Sequence, residues 1–121
     1  MRGMPRRVLI VDDHAEFRAL ARAMLERGGF EVVGEAVDGA QTLTAVARTR
    51  PEVVLLDVQL PDVNGFDVAR TLCDGEDAPI VVMVSTRDAA DFGRRLERSG
   101  ARGFIAKSRL SGPALAELVS R

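Results

Sequence analysis

Short runs of aliphatic, mostly β-branched residues recur along the chain and constrain its fold more than any other feature. Val8-Leu9-Ile10-Val11 and Val53-Val54-Leu55-Leu56 are apolar at every position. A strand without polar alternation must be covered on both faces, which is the condition of a parallel sheet packed between helices. Ile80 to Val84 repeats the pattern, and Gly103 to Ala106 gives a shorter version. Glu31 to Ala36 carries charge near both ends, which places it near a sheet edge.

The segments between these runs have helical spacing. After the first run, Phe17, Leu20, Ala21, Met24 and Leu25 fall on one face, with Arg18, Arg22 and Glu26 outward and Gly28-Gly29 as the stop. Asp38 is placed to cap a helix running to about Thr49, with Pro51 beyond it. Pro61, Asn64 and Gly65 form a turn before a helix that faces Phe66, Ala69, Leu72 and Cys73 inward. Asp88 opens one continuous helix with Phe92 and Leu96 inward, closed by Gly100. Ser111, followed by Pro113, opens the last, which carries Leu115, Leu118 and Val119. Five βα units without linker or repeat predict one α/β domain over residues 1–121.

Composition narrows the function. At 121 residues the chain matches the commonest domain size, and 46% hydrophobic with 29% charged residues argues against disorder. A net charge of −1 gives no overall attraction to nucleic acid or anionic lipid. The basic start, Met1 to Arg7, precedes an apolar run as a signal peptide would, but Asp12-Asp13 end that run far too early. The single cysteine, Cys73, cannot form an internal disulfide and reads as a small core residue. No stretch is long enough to span a bilayer, so a soluble cytoplasmic protein is expected.

Ligands of such sheets bind outside the carboxyl ends of the strands. The residues leaving those ends are Asp12-Asp13, Asp57, Ser85 and Lys107. Wet loops make strand ends polar in general, but three acids, a hydroxyl and the chain's only lysine among 17 basic residues are a more pointed set. Clustered carboxylates repel and must protonate or take up a cation. An oxygen-only site of few ligands suits Mg²⁺, and a lysine beside it completes an arrangement that neutralises a transferring phosphoryl group. A carboxylate in that field can be the nucleophile, and Asp57, alone on a central strand, is the candidate.

With those motifs in order, the chain resembles a response-regulator receiver domain of bacterial two-component systems over essentially its whole length. The resemblance rests on Val11-Asp12-Asp13, Asp57 with Pro61 and Gly65, Ser85, and Gly103-Phe104-Ile105-Ala106-Lys107. It implies a doubly wound, CheY-like and flavodoxin-like (βα)₅ fold, with five parallel strands in the order 2-1-3-4-5. It implies Asp57 as phosphoacceptor, Asp13 as a direct Mg²⁺ ligand, Asp12 as a helper through water, and the Gln59 main-chain carbonyl as a third ligand. Lys107 and Ser85 would bind the phosphoryl group, and Phe104 would be the aromatic switch. In that scheme the unphosphorylated Ser85 points away from Asp57 and Phe104 lies outward. The implied partners are a sensor histidine kinase, an output domain or downstream protein, and a second copy of the chain on phosphorylation; neither nucleic acid nor membrane is bound directly. The domain would not be an enzyme beyond its own phosphorylation and dephosphorylation. The Asp13-His14, Phe17-Arg18 and Lys107-Ser108 contexts are similar to receivers that precede a LuxR-type DNA-binding domain, hence transcription as the output.

Some residues depart from the family pattern. Ser85 replaces threonine, Phe104 replaces a frequent tyrosine, and Ser108 replaces a proline. Thr86, Gln59 and Arg87 stand where bulk would slow access to the site. His14 reads as an exposed first-turn residue, and Arg94, Arg95, Arg98 and Arg102 as a solvated basic face or a docking surface. Four competing readings remain. An aspartate-nucleophile phosphohydrolase would space its acids by two residues and add a cap. A nucleotide binder would have a glycine-rich loop after the first strand. A purely structural, non-phosphorylated receiver would have lost one of the acids or the lysine. A stand-alone phospho-switch would act on a protein partner without an attached output.

Overall fold

The protein is described by a computed structural model covering residues 5–121; the basic start at Met1–Met4 lies outside the described residues. Five strands form one parallel sheet in the order β2-β1-β3-β4-β5. They are β1 (Arg7–Val11), β2 (Glu31–Ala36), β3 (Val53–Asp57), β4 (Ile80–Ser85) and β5 (Gly103–Ala106). The helices are α1 (Ala15–Arg27), α2 (Gly39–Thr49), α3 (Gly65–Cys73), α4 (Arg94–Arg98) and α5 (Gly112–Val119). β2 lies at an edge, as its end charges require.

Alternation within each strand divides the core in two. Val8, Ile10, Val53, Leu55, Val82 and Val84 face Ala21 and Leu25 of α1 and Leu115 and Val119 of α5. Leu9, Val11, Val54, Leu56, Val81 and Met83 face Ala45 of α2 and Phe66, Ala69 and Leu72 of α3. Each such side chain contributes about 1.5–3 kcal/mol when fully buried, so the apolar runs are the main source of stability. The helix starts behave as their sequences direct. The side chains of Asp38, Asn64 and Ser111 accept from the N–H groups of Gln41, Phe66 and Ala114 respectively.

Three expectations need correction. Leu20, placed inward by its spacing, is 57% exposed, because Ala21 and Leu25 occupy the line of contact with the sheet. Arg18, placed outward, folds back on the chain. Its Nε donates to Glu35 of β2 and its Nη1 to the Asp12 carbonyl. The continuous helix expected from Asp88 is broken. A 3₁₀ turn spans Ala89–Asp91, with the Asp88 N–H donating to Asp91 Oδ2 at 3.1 Å. Gly93 then takes φ +54° and only a five-residue helix follows. Phe92 is nonetheless buried, as expected.

The basic cluster is not simply a solvated face. Arg95 lies over the Phe66 ring at 5.1 Å, and Arg102 donates to the Leu118 and Arg121 carbonyls at the end of α5. Arg94 and Arg98 remain exposed. Cys73 is half-buried with its Sγ 3.3 Å from the Gly100 carbonyl, and burial raises its thiol pKa, which agrees with a packing role. No helix among the described residues is long and apolar enough to cross a membrane.

Candidate functional site

Parallel strands end on the same edge, so residues far apart in sequence meet there. β1 delivers Asp12, fully buried, and Asp13, exposed. Asp57 and Ser85 are the last residues of β3 and β4, each 4% exposed, and Lys107 follows β5. Asp13, His14, Asp57, Gln59, Ser85, Thr86 and Lys107 are among the residues lining one open cavity of about 630 Å³. Asp12 lies beneath that lining, and Arg87 is not part of it. The strand-end residues singled out in the sequence therefore do converge.

Lys107 is the centre of the charge distribution. Its Nζ lies 2.5 Å from Asp12 Oδ2, 3.3 Å from Asp57 Oδ2 and 4.5 Å from the centroid of the Phe17 ring. A compact ammonium fits between two carboxylates and an aromatic face, where a planar guanidinium would not. The pairing with Asp12 was not legible in the sequence, which suggested only a partner for Asp57.

The two buried acids are driven apart. Burial, then the neighbouring Asp12 charge, push Asp57 up to about 6 against the opposing pull of Lys107 and the Gln59 N–H. Asp12 is buried too, but hydrogen bonds with Lys107 and His14 and the Lys107 charge outweigh burial and hold it below the usual carboxylate range. The closer lysine decides which acid keeps its charge. Asp12 Oδ2 is paired with the Lys107 ammonium, and Asp12 Oδ1 accepts from the His14 N–H.

Ligand atoms of Asp12, Asp13, His14 and Asp57 all lie within 4.8 Å of one another. Three carboxylates against one ammonium leave the cluster net negative once ionised. A hard dication fits such a set of oxygen donors, which a single ammonium leaves with excess negative charge.

The loop after β3 is held by its own backbone. Val58 N–H donates to Val84, Gln59 N–H to Asp57 Oδ1 at 3.2 Å, and Gly65 N–H to Val58 at 2.7 Å. Gln59 and Asn64 pair across the turn as an isolated bridge. Gly65 is needed for close approach: a Cβ there would stand 2.2 Å from the Asp57 carbonyl oxygen. Asp62 accepts from the Gly39 and Ala40 N–H groups at the start of α2, and these bonds, Gly39 first, lower its pKa. Sequence reading took Gly65 as a turn residue and overlooked Asp62, because both roles depend on a neighbour distant along the chain.

Of the two residues expected to switch, Ser85 Oγ accepts from the Arg87 N–H at 3.1 Å, within its own loop. Phe104 is half-buried, with its ring 5.8 Å from that of Phe92. It borders a shallow groove with Asp88, Ala89, Ala106, Arg109 and Ala114.

The fold has known counterparts. The response regulator receiver domain family matches residues 8–119. The DNA-binding response regulator MtrA of Mycobacterium tuberculosis is 42% identical over 109 residues, covering 88% of this chain and 46% of that protein. A protein-glutamate methylesterase/protein-glutamine glutaminase of Hahella chejuensis is 38% identical over 84 residues, 69% of this chain and 24% of that protein. The chain thus spans half the length or less of these relatives. Among solved structures, the signal receiver domain of the response regulator NarL from Mycobacterium tuberculosis superposes with a TM-score of 0.89 at 30% identity, covering 98% of each chain.

Proposed function

Because the chain belongs to the response regulator receiver domain family, we propose that residues 1–121 form one receiver domain that accepts a phosphoryl group on Asp57. The donor is a phosphohistidine of a sensor kinase, and Mg²⁺ is the cofactor. The observation that carries this reading is a buried Asp57 carboxylate that lines an open cavity, 3.3 Å from the only lysine and clustered with Asp12 and Asp13.

In this mechanism an Asp57 Oδ attacks phosphorus. The P–N bond to the donor imidazole breaks, and the imidazole leaves with the electron pair and takes a proton. Mg²⁺, held by Asp13, Asp57 and the Gln59 carbonyl, with Asp12 behind, would supply Lewis-acid neutralisation of the phosphoryl oxygens. Lys107 already points at Asp57 and transfers its contact to a phosphoryl oxygen. The Ser85 hydroxyl, now bonded within its own loop, turns to donate to the same group. Phe104 leaves its place against Phe92 for the space that Ser85 vacates, and the α4–β5–α5 surface changes.

The energies are adequate. Shifting a two-state equilibrium from 1:99 to 99:1 takes about 5.5 kcal/mol. Charge-assisted hydrogen bonds contribute roughly 1.5–3 kcal/mol each, so two new ones nearly suffice. The output is transcription through a DNA-binding domain, a reading supported by the 42%-identical relative being a DNA-binding response regulator. The methylesterase relative shows why this is a choice among outputs. The protein acts in the cytoplasm as a signalling switch and not as an enzyme on other substrates.

The test is intact mass after incubation with acetyl phosphate, with and without Mg²⁺. One phosphoryl adduct is expected, dependent on Mg²⁺ and absent from Asp57→Asn. If neither acetyl phosphate nor a cognate kinase labels Asp57, the phosphotransfer reading fails.

A further inference from the structure

His14 is the chain's only histidine, and it stands beside the acid cluster instead of apart from it. Its side chain is 69% exposed, yet the ring turns back over the strand edge. Its Nδ1 lies 3.0 Å from Asp12 Oδ1 and 3.1 Å from Asp13 Oδ1. Its N–H also donates to Asp12 Oδ1 at 2.8 Å, and the extended N-cap conformation, φ −93° and ψ 111°, orients the residue.

Those two distances have a geometric meaning. Ligands about 2.1 Å from an ion and adjacent in an octahedron are about 3.0 Å apart, and in a tetrahedron about 3.4 Å. The nitrogen therefore already stands at a ligand–ligand edge from two carboxylate oxygens. Within the cluster, the four residues offer donors that all lie within 4.8 Å of one another. Asp12 is fully buried and its Oδ2 is paired with the Lys107 ammonium at 2.5 Å, so three carboxylates share a single positive side chain.

Imidazole changes which ion such a site prefers. Mg²⁺ favours oxygen and gives up water reluctantly, whereas Zn²⁺ and neighbouring first-row transition dications bind imidazole nitrogen well. We propose that His14 Nδ1 joins Asp12, Asp13 and Asp57 as a ligand for a Zn²⁺-type transition dication, which competes with Mg²⁺ for the site. This rests on the acid cluster being the metal site described above. The ring proton then resides on Nε2, which is open to solvent, and Nδ1 exchanges its contact with the carboxylates for the metal.

The exposure of His14 matters here. A side chain free to leave the cavity mouth can close over an ion after it has entered. Mg²⁺, bound through oxygens, leaves the ring unengaged.

The experiment is calorimetric titration of the untagged chain with Zn²⁺ and with Mg²⁺ at neutral pH, for wild type, His14→Gln and Asp13→Asn. It is paired with ¹⁵N NMR of the imidazole. With a single histidine, any ring nitrogen that moves belongs to His14. The expected result is that His14→Gln weakens Zn²⁺ by about tenfold or more and changes Mg²⁺ less than about twofold. Zn²⁺, but not Mg²⁺, should shift the Nδ1 resonance of the wild type. Asp13→Asn should weaken both ions. If Mg²⁺ binds as expected but His14→Gln leaves Zn²⁺ affinity unchanged and Nδ1 does not move, the inference is overturned alone. If Mg²⁺ binding is absent or indifferent to Asp13→Asn, the metal-site reading beneath it falls as well.

Discussion

At the residue scale, the site is an exercise in placing one positive charge among three negative ones. Lys107 satisfies Asp12 more closely than Asp57, so Asp57 is the acid left under strain. Its folded pKa of about 6 lies above the unfolded value of 3.8, so the folded protein keeps a proton that the unfolded chain releases. The resulting stability is present below the unfolded value and is lost as pH rises through about 6. A shift of this size corresponds to about 3 kcal/mol. Asp57→Asn should therefore raise the melting temperature of the metal-free protein at neutral pH, and the advantage should vanish towards pH 4. Thermal melts across that range check it; an asparagine variant no more stable than wild type at neutral pH contradicts the account. Mg²⁺ should narrow the same gap by stabilising the wild type more than the variant. Ser85→Ala should still accept phosphate but fail to move the α4–β5–α5 surface, seen as unchanged backbone NMR shifts there on phosphorylation. The identities of these residues were legible because strand ends are where such folds bind ligands. Their pairing was not, since it depends on which carboxylate lies ångströms nearer to one nitrogen.

At the element scale, the strands and the helix starts follow their local chemistry, and the discrepancies occur where tertiary contacts decide. Leu20 satisfies the helical period but loses the inward line to Ala21 and Leu25. Leu20→Ser should thus cost little, within about 0.5 kcal/mol in a denaturant melt. Gly65→Ala should cost far more, about 3 kcal/mol, at the upper end of what overpacking costs, because the added carbon meets the Asp57 carbonyl at 2.2 Å and backbone must shift. Arg18 shows the reverse case, a polar residue on the solvent side of the pattern that ties α1 to β2 and to the carbonyl of Asp12. Burial opposes it, but Arg22 and Arg18 together hold Glu35 below its usual carboxylate pKa. The α4 segment could not be read from periodicity, since the Asp88–Asp91 contact and the left-handed Gly93 interrupt a pattern that otherwise looks continuous.

For the molecule as a whole, the continuous apolar runs made the parallel architecture legible, because only a sheet covered on both faces buries such strands. The match to known receivers agrees in fold and in the order of strands. What composition alone left open was the distribution of charge: an almost neutral chain gathers Asp12, Asp13 and Asp57 at one edge of the sheet and sets several arginines in structural contacts.

Lys107 has a consequence in time as well as in space. It follows the last strand to join the sheet, while the acids it balances belong to the first and third. As the chain emerges from the ribosome, Asp12 and Asp57 are made long before their counter-charge. A nascent receiver is therefore not a weak acceptor that improves as it lengthens. Its acids lack their ammonium until β5 docks, and the charge balance of the site arrives with the completion of the sheet.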